Sequence, residues 1–250
     1  MLRSRIIPCL LIHDGGLVKT RQFKNPKYVG DPLNAVKIFN EKEADELIVL
    51  DIDASTQGRT PNFALLKGLA VESRMPLCYG GGVTSAVQAA QIIALGFEKV
   101  SISAAALTRP ALIREMAEAV GAQSVVVTLD VRKNKLFAGY TVYTRNGQDK
   151  QKVNLLEFCQ QAVELGAGEI VINSIDRDGE MAGYDLELAK SIRGAITSPI
   201  SMMGGSGNVE HMQELIDSVG VVGAAAGSMF VFKGPYRAVL INYGRPDRLT

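Results

Sequence analysis

Eight short apolar runs, each closed by polar or glycine residues and followed by a helical pattern, recur along the chain, and this rhythm leaves few folds open. The runs are Arg5 to Leu11, Glu46 to Asp51, Pro76 to Tyr79, Lys99 to Ile102, Ser124 to Asp130, Glu169 to Asn173, Pro199 to Met203 and Val221 to Ala225. Helices are expected near Pro32–Lys42, Asn62–Glu72, Ser85–Leu95, Pro110–Val120, Leu155–Leu165, Leu186–Ile192, Val209–Ser218 and Pro235–Ile241. Eight parallel strands with eight crossover helices close into an α/β barrel of the (β/α)8 or TIM type, for which about 250 residues is usual. The chain has 250 residues, so one barrel domain over 1–250 is the expectation. Between Lys133 and Lys152, the run Leu136 to Tyr143 and the turn signal Asn146-Gly147 predict an extended insertion after the fifth strand, on the rim where barrel enzymes do their chemistry.

The two halves of the chain read alike. Glu46-Leu47-Ile48-Val49-Leu50-Asp51-Ile52-Asp53 lies against Glu169-Ile170-Val171-Ile172-Asn173-Ser174-Ile175-Asp176, and Tyr79-Gly80-Gly81-Gly82 against Met203-Gly204-Gly205-Ser206. A duplicated half-barrel explains this match. A doubly wound sheet would share the alternation without predicting it.

Charge excludes several classes of function. With 27 basic and 26 acidic residues, no bulk field exists to hold a nucleic acid or an acidic membrane surface. The apolar run Ile6 to Ile12 is too short, and too soon interrupted by His13-Asp14, for a signal peptide or a membrane span, so a cytoplasmic protein is expected. Cys9, Cys78 and Cys159 are odd in number and lack a CxxC spacing, so they read as reduced core thiols. With only His13 and His211 besides, neither a metal site nor a cofactor is expected.

Barrel active sites lie at the C-terminal ends of the strands. There, Gly80-Gly81-Gly82 after strand three and Gly204-Gly205-Ser206-Gly207 after strand seven open toward helices, where small residues let backbone N–H groups approach a phosphate. Ser103-Ala104-Ala105 after strand four and Gly227-Ser228 after strand eight complete two cups related by the duplication. Two cups half a chain apart point to a small-molecule ligand with two phosphates.

Arg5-Ile6-Ile7-Pro8-Cys9-Leu10, Gly80-Gly81-Gly82-Val83, Lys99-Val100-Ser101-Ile102, Ser174-Ile175-Asp176-Arg177-Asp178-Gly179 and Gly183-Tyr184-Asp185 resemble motifs of the HisF family, the cyclase subunit of imidazole glycerol phosphate synthase. The likeness runs from about the first residue to Tyr243. The isomerase family HisA shares the fold, but the set Arg5, Glu46, Lys99 and Glu169 fits HisF better. The resemblance implies that a HisH-like glutaminase docks at the N-terminal face, beside Glu98 and Lys99. It implies also that those four charged residues gate ammonia into the barrel, and that Lys19, Asp51, Gly81, Gly82, Ser103, Asp178, Gly179, Gly204, Gly205, Gly227 and Ser228 bind the phosphorylated substrate.

The catalytic face departs from the family. Two opposed carboxylates act there as general acid and base, at the ends of strands one and five. Asp130 supplies the second, but Leu11 stands at the first, and leucine can neither take nor give a proton. Asp14, three residues on, replaces it only if the loop is remodelled. Ser103 and Ala104 stand where the family generally has asparagine and threonine, Asn173 where it has threonine, and Met203 where it has serine. Three readings compete: a HisF-like paralogue without efficient cyclase activity, passing ammonia to an N-acetyl sugar amidotransferase of surface-polysaccharide (acetamidino sugar) synthesis; the ordinary cyclase of histidine biosynthesis; and a non-catalytic structural barrel. The intact gate beside a broken acid–base pair favours the first.

Overall fold

The computed structural model describes residues 3–134 and 138–244. Its strands in chain order are β1 (Arg5–His13), β2 (Gly16–Arg21), β3 (Lys24–Gly30), β4 (Leu47–Asp51), β5 (Leu77–Gly80), β6 (Lys99–Ile102), β7 (Val125–Lys133), β8 (Tyr140–Thr144), β9 (Asp149–Lys150), β10 (Glu169–Ser174), β11 (Ile200–Met203), β12 (Gly223–Ala226), β13 (Phe232–Lys233) and β14 (Ala238–Val239). The helices are α1 (Pro32–Glu41), α2 (Ala54–Gln57), α3 (Phe63–Glu72), α4 (Ala86–Ala94), α5 (Ala104–Thr108), α6 (Ala111–Val120), α7 (Leu155–Glu164), α8 (Leu186–Ala195) and α9 (Val209–Val219). Strands β1, β4, β5, β6, β7, β10, β11 and β12 pair in that order, all parallel, and β12 returns to β1 through Arg5 beside Gly223. The sheet is thus a closed eight-stranded barrel, and closure leaves it without an edge.

Local chemistry sets the helix starts. The side chains of Asp31, Asn62, Ser85, Asn154, Asp185 and Asn208 each accept a backbone N–H at the beginning of α1, α3, α4, α7, α8 and α9, a contact worth about 0.5–2 kcal/mol per helix. Apolar faces of these helices cover the barrel, where Leu47, Leu77, Val100, Val125, Ile170 and Ile200 are buried between sheet and helix. The alternate residues face inward: Ile7, Cys9, Ile48, Cys78, Val126, Val171, Met203 and Ala225 form a separate cluster in the lumen, with Leu11 and Leu50 above them. No helix among the described residues is long and apolar enough to cross a membrane.

Strands one and five run past their expected ends, to His13 and Lys133, because each continues as one arm of an antiparallel hairpin, β1 with β2 and β7 with β8. The two hairpins occupy equivalent places in the two halves. The second is the expected insertion, although Leu136 and Phe137 of it lie outside the described residues. The first, with β3, carries Lys19 and was not visible in the sequence pattern.

The eighth helix is a correction. Pro235–Ile241 does not form a helix; Phe232 and Lys233 pair with Val239 and Ala238 across a tight turn at Gly234-Pro235. Proline offers no N–H, and Arg237 at φ 49° lies outside the helical region, so the apolar pattern there could not propagate as a helix. The tail instead stacks Phe230 and Tyr243 edge-on against Phe39 of α1, with ring centroids 6.4 Å apart in both pairs. A second correction concerns the glycine motifs. Gly81 and Gly204 are the equivalent pair, since a Cβ on either would meet the backbone oxygen ending the neighbouring strand, Asp51 at 2.6 Å or Ser174 at 2.7 Å. Gly80 therefore corresponds to Met203, one residue off the sequence-based alignment.

Candidate functional sites at the two mouths of the barrel

At the N-terminal mouth the four expected charges meet. Arg5 forks onto both carboxylates, with Nη1 donating to Glu46 and Nη2 to Glu169 Oε1 at 2.7 Å. Lys99 Nζ closes the circle, at 2.9 Å from Glu46 and 2.8 Å from Glu169. Ser201 Oγ also donates to Glu169. With side-chain exposures of 4% and 5% the two glutamates are buried, and Lys99 at 12% and Arg5 at 26% are partly so, which separates the ring from ordinary surface pairs. Burial alone would raise the Glu169 carboxyl, yet the Arg5 hydrogen bond and the Arg5 and Lys99 charges outweigh it and hold Glu169 below its usual range. Burial works against the Lys99 ammonium, and Glu169 and Glu46 outweigh that too, so its pKa is raised. A cavity of about 490 Å³, lined by Arg3, Arg5, Lys99, Glu169, Arg193 and Val221 among others, lies outside the ring.

At the C-terminal mouth, strand pairing shows what the duplication does to the chemistry. Leu11 of β1 lies beside Leu50 of β4, and Asp130 of β7 beside Asn173 of β10. Each pair occupies the same register position in its half. The first half therefore presents two leucines where the second presents a carboxylate and an amide. Asn173 Nδ2 donates to Asp130 Oδ1 at 3.0 Å, and desolvation pushes the Asp130 carboxyl up to about 7 despite that hydrogen bond. Asp14 does not substitute for Leu11: it sits at the exposed turn of the β1–β2 hairpin, where its N–H donates to Asp53 Oδ2 at 2.8 Å. His13 Nδ1 lies 2.7 Å from Asp53 Oδ1, and that hydrogen bond raises the imidazole pKa.

The expected ligand residues divide into an open set and a filled set. Asp51, Gly81, Gly82 and Ser103 line a cavity of about 540 Å³ together with Arg59, Arg109 and Arg145. Lys19, Asp178, Gly179, Gly204, Gly205, Gly227 and Ser228 line a space of only about 40 Å³. The Lys19 ammonium is buried there and donates to the Cys9 carbonyl, and burial lowers its pKa. Asp178 is occupied as well, its Oδ2 accepting Thr20 Oγ1 at 2.6 Å and the Phe23 N–H at 3.1 Å, which ties the β2–β3 hairpin down over this half. Asp51 Oδ1 accepts the N–H groups of Asp53 and Ala54 at 3.0 Å each, shaping the loop beside the open cavity. Sequence reasoning missed Leu50, Arg109 and Arg145. Leu50 could have been found from its alignment with Asn173, whereas the two arginines carry no local signal.

A parallel barrel built twice over, with glycine-lined cups at one mouth and a buried charge ring at the other, defines the class of protein, and comparison agrees: the family model described as histidine biosynthesis protein matches residues 5–236, so the chain belongs to that family. Among its relatives, a protein of Vibrio vulnificus provisionally named imidazole glycerol phosphate synthase subunit hisF3 is 54% identical, over 99% of this chain and 95% of its own. A Pseudomonas aeruginosa protein provisionally named subunit hisF2 is 49% identical over 100% and 99%. The imidazole glycerol phosphate synthase subunit HisF of Lysinibacillus sphaericus is 38% identical over 98% and 97%.

Proposed function

We propose that this chain is the ammonia-receiving subunit of a glutamine amidotransferase complex, in which a HisH-like glutaminase docks on the N-terminal face and ammonia enters past the Arg5, Glu46, Lys99 and Glu169 ring. One observation carries the reading: the charge ring is closed around two buried glutamates, while at the opposite mouth Leu11 stands in place of a carboxylate, with Leu50 beside it. Ammonia that passes the ring meets a lumen of Ile7, Ile48, Cys78, Val126 and Val171, in which a small neutral molecule is favoured over an ion. Asp130 alone cannot act as both acid and base across a substrate. The nitrogen is therefore handed on, and an N-acetyl sugar amidotransferase of surface-polysaccharide (O-antigen) synthesis is the acceptor that fits this reading, with the complex in the cytoplasm. The higher identity to the provisionally named subunits, 54% and 49% against 38%, is consistent with a paralogue.

The second reading, the cyclase of histidine biosynthesis, is favoured by the names of those same relatives, and Gly81 and Gly82 lining the open cavity at the C-terminal mouth are consistent with it. The two readings agree on the partner. Pull-down of the tagged barrel is expected to recover a glutaminase with a Cys-His-Glu triad, and titration of the two proteins should give a complex at micromolar concentration, near −8 kcal/mol. A barrel that stays alone with that glutaminase present at tens of micromolar would remove the amidotransferase reading.

A further inference from the structure

The two halves of the barrel are alike in fold and unlike in charge at the N-terminal face. The segments that lead into β1, β4, β5 and β6 carry Arg3, Lys42, Glu43, Asp45, Arg74 and Glu98, besides Glu46 of the ring. Those that lead into β7, β10, β11 and β12 are 121–124, 165–168, 196–199 and 220–222, and they hold no charged residue. The cavity of about 490 Å³ outside the ring takes most of its wall from this uncharged half, with Pro199, Ile200, Val219, Val221 and Val222 along it. Val221 stands at its lip, 49% exposed.

One fixed charge in that wall has no counter-ion. The ring sets two cations against two carboxylates, and Arg3 lies 3.2 Å from Asp45. Arg193, in the last turn of α8, has no carboxylate within 4.0 Å among the described residues. Its guanidinium donates to the carbonyls of Thr197 at 3.4 Å, Ser198 at 3.0 Å and Val221 at 3.2 Å, and its Nε is enclosed without a hydrogen-bond partner. Burial lowers its pKa, and no acidic neighbour opposes that. The three carbonyls hold the planar group in place and leave its charge uncancelled. A positioned guanidinium beside an apolar wall is suited to a carboxylate brought from outside, which it would bind through charge-assisted hydrogen bonds.

We infer that the glutaminase sets an acidic side chain, flanked by apolar ones, into this cavity against Arg193, and that this ion pair decides which way round the partner sits on a barrel of two similar halves. The inference rests on the reading that a glutaminase docks on this face. A duplicated barrel offers its partner two seats half a turn apart. Helices α3 and α8 are equivalent and equal in length, and Ala70 of α3 stands where α8 has Arg193. In the wrong seat the partner's carboxylate therefore loses its guanidinium and lies over the half that carries Glu43, Asp45 and Glu98, where like charges repel it.

Calorimetric titration of the intact chain with the glutaminase recovered by the tagged barrel tests it. Arg193→Gln is expected to weaken binding about thirtyfold or more, the effect of removing one member of a desolvated charge pair, and Arg193→Lys to recover most of the loss. Because Arg193 also staples the turns at Thr197, Ser198 and Val221, a second pair of variants reads the sign of the charge at a half-exposed side chain. Val221→Asp should weaken the complex about tenfold, by capturing Arg193 and repelling the partner's carboxylate, whereas Val221→Lys should stay within about threefold of wild type. Circular dichroism of each variant confirms that the barrel is folded. Equal losses with Asp and Lys at position 221, or Arg193→Gln binding within about threefold of wild type, would overturn the inference while leaving the docking itself standing. A wild-type barrel that binds no glutaminase would remove the docking reading and this inference with it.

Discussion

Supplied with ammonium salt at high pH and the bisphosphorylated ribonucleotide that HisF enzymes cleave, this protein is expected to turn over about 10²–10⁴-fold more slowly than an ordinary cyclase, the span that general acid–base help contributes. The cause is Leu11. Cyclisation needs one group to give a proton while another takes one, and the position facing Asp130 across the barrel is apolar, with a second leucine, Leu50, beside it. With burial pushing its carboxyl to about 7, Asp130 is suited to either task near neutral pH but to one at a time. Free ammonia bypasses any defect in glutaminase docking, so a low rate under these conditions is assigned to the C-terminal mouth. Leu11→Asp restores the missing carboxylate, and a rise in its turnover over wild type would mark that residue as the lesion. Wild-type turnover equal to that of an ordinary cyclase would end the argument from Leu11.

Breaking the charge ring should cost far more than losing a surface ion pair. Glu169→Ala leaves Arg5 and Lys99 facing Glu46 alone in a buried setting, and loss of one partner from such a network costs about 3–5 kcal/mol, against 0–1 kcal/mol for exposed pairs. Urea unfolding at pH 7 reads this directly. Replacing the whole ring with methionine, as Arg5→Met, Glu46→Met, Lys99→Met and Glu169→Met together, is expected to cost less than Glu169→Ala alone, because no charge is then left buried without a partner. The pH dependence follows from the depressed Glu169 carboxyl. Its stabilisation is fully present above the unfolded value near 4.5 and is lost as pH falls toward the lower folded value, so the gap between wild type and Glu169→Gln should narrow below pH 4.5. A gap below 1 kcal/mol at pH 7 would make the ring an ordinary set of salt bridges.

Much of this architecture was legible because a barrel writes its layers into the sequence with period two. Arg5, Glu46, Lys99 and Glu169 stand out as charges at the starts of apolar strands, and closure alone brings them together. The C-terminal mouth was harder to read. Its polar and apolar pairs depend on register between strands far apart in sequence, so Leu11 was visible but its neighbour Leu50 was not. The half-to-half match of the sequence is one residue out at the glycines because Gly80 looks like a third equivalent, whereas the close approach of the Asp51 backbone picks out Gly81. Arg109 and Arg145 lie just after a short helix and in a turn, places with no periodicity, and only the closed barrel puts them around one cavity. At the C-terminal end, apolar spacing over Pro235–Ile241 mimicked a helix, and the Gly234-Pro235 turn decided otherwise.

The central claim is that ammonia travels through this barrel, and an isotope competition measures that most directly. The barrel, its glutaminase and the acceptor enzyme are supplied with glutamine carrying ¹⁵N in its amide and with an excess of unlabelled ammonium in solution, and the isotope in the aminated product is read by mass spectrometry. Channelling predicts a product that keeps the ¹⁵N of glutamine with wild-type barrel, and that loses it to the bulk pool, or is not formed from glutamine at all, with Lys99→Ala. Product carrying the unlabelled nitrogen of the solution with wild-type barrel, or the same labelling with Lys99→Ala as with wild type, would contradict the account.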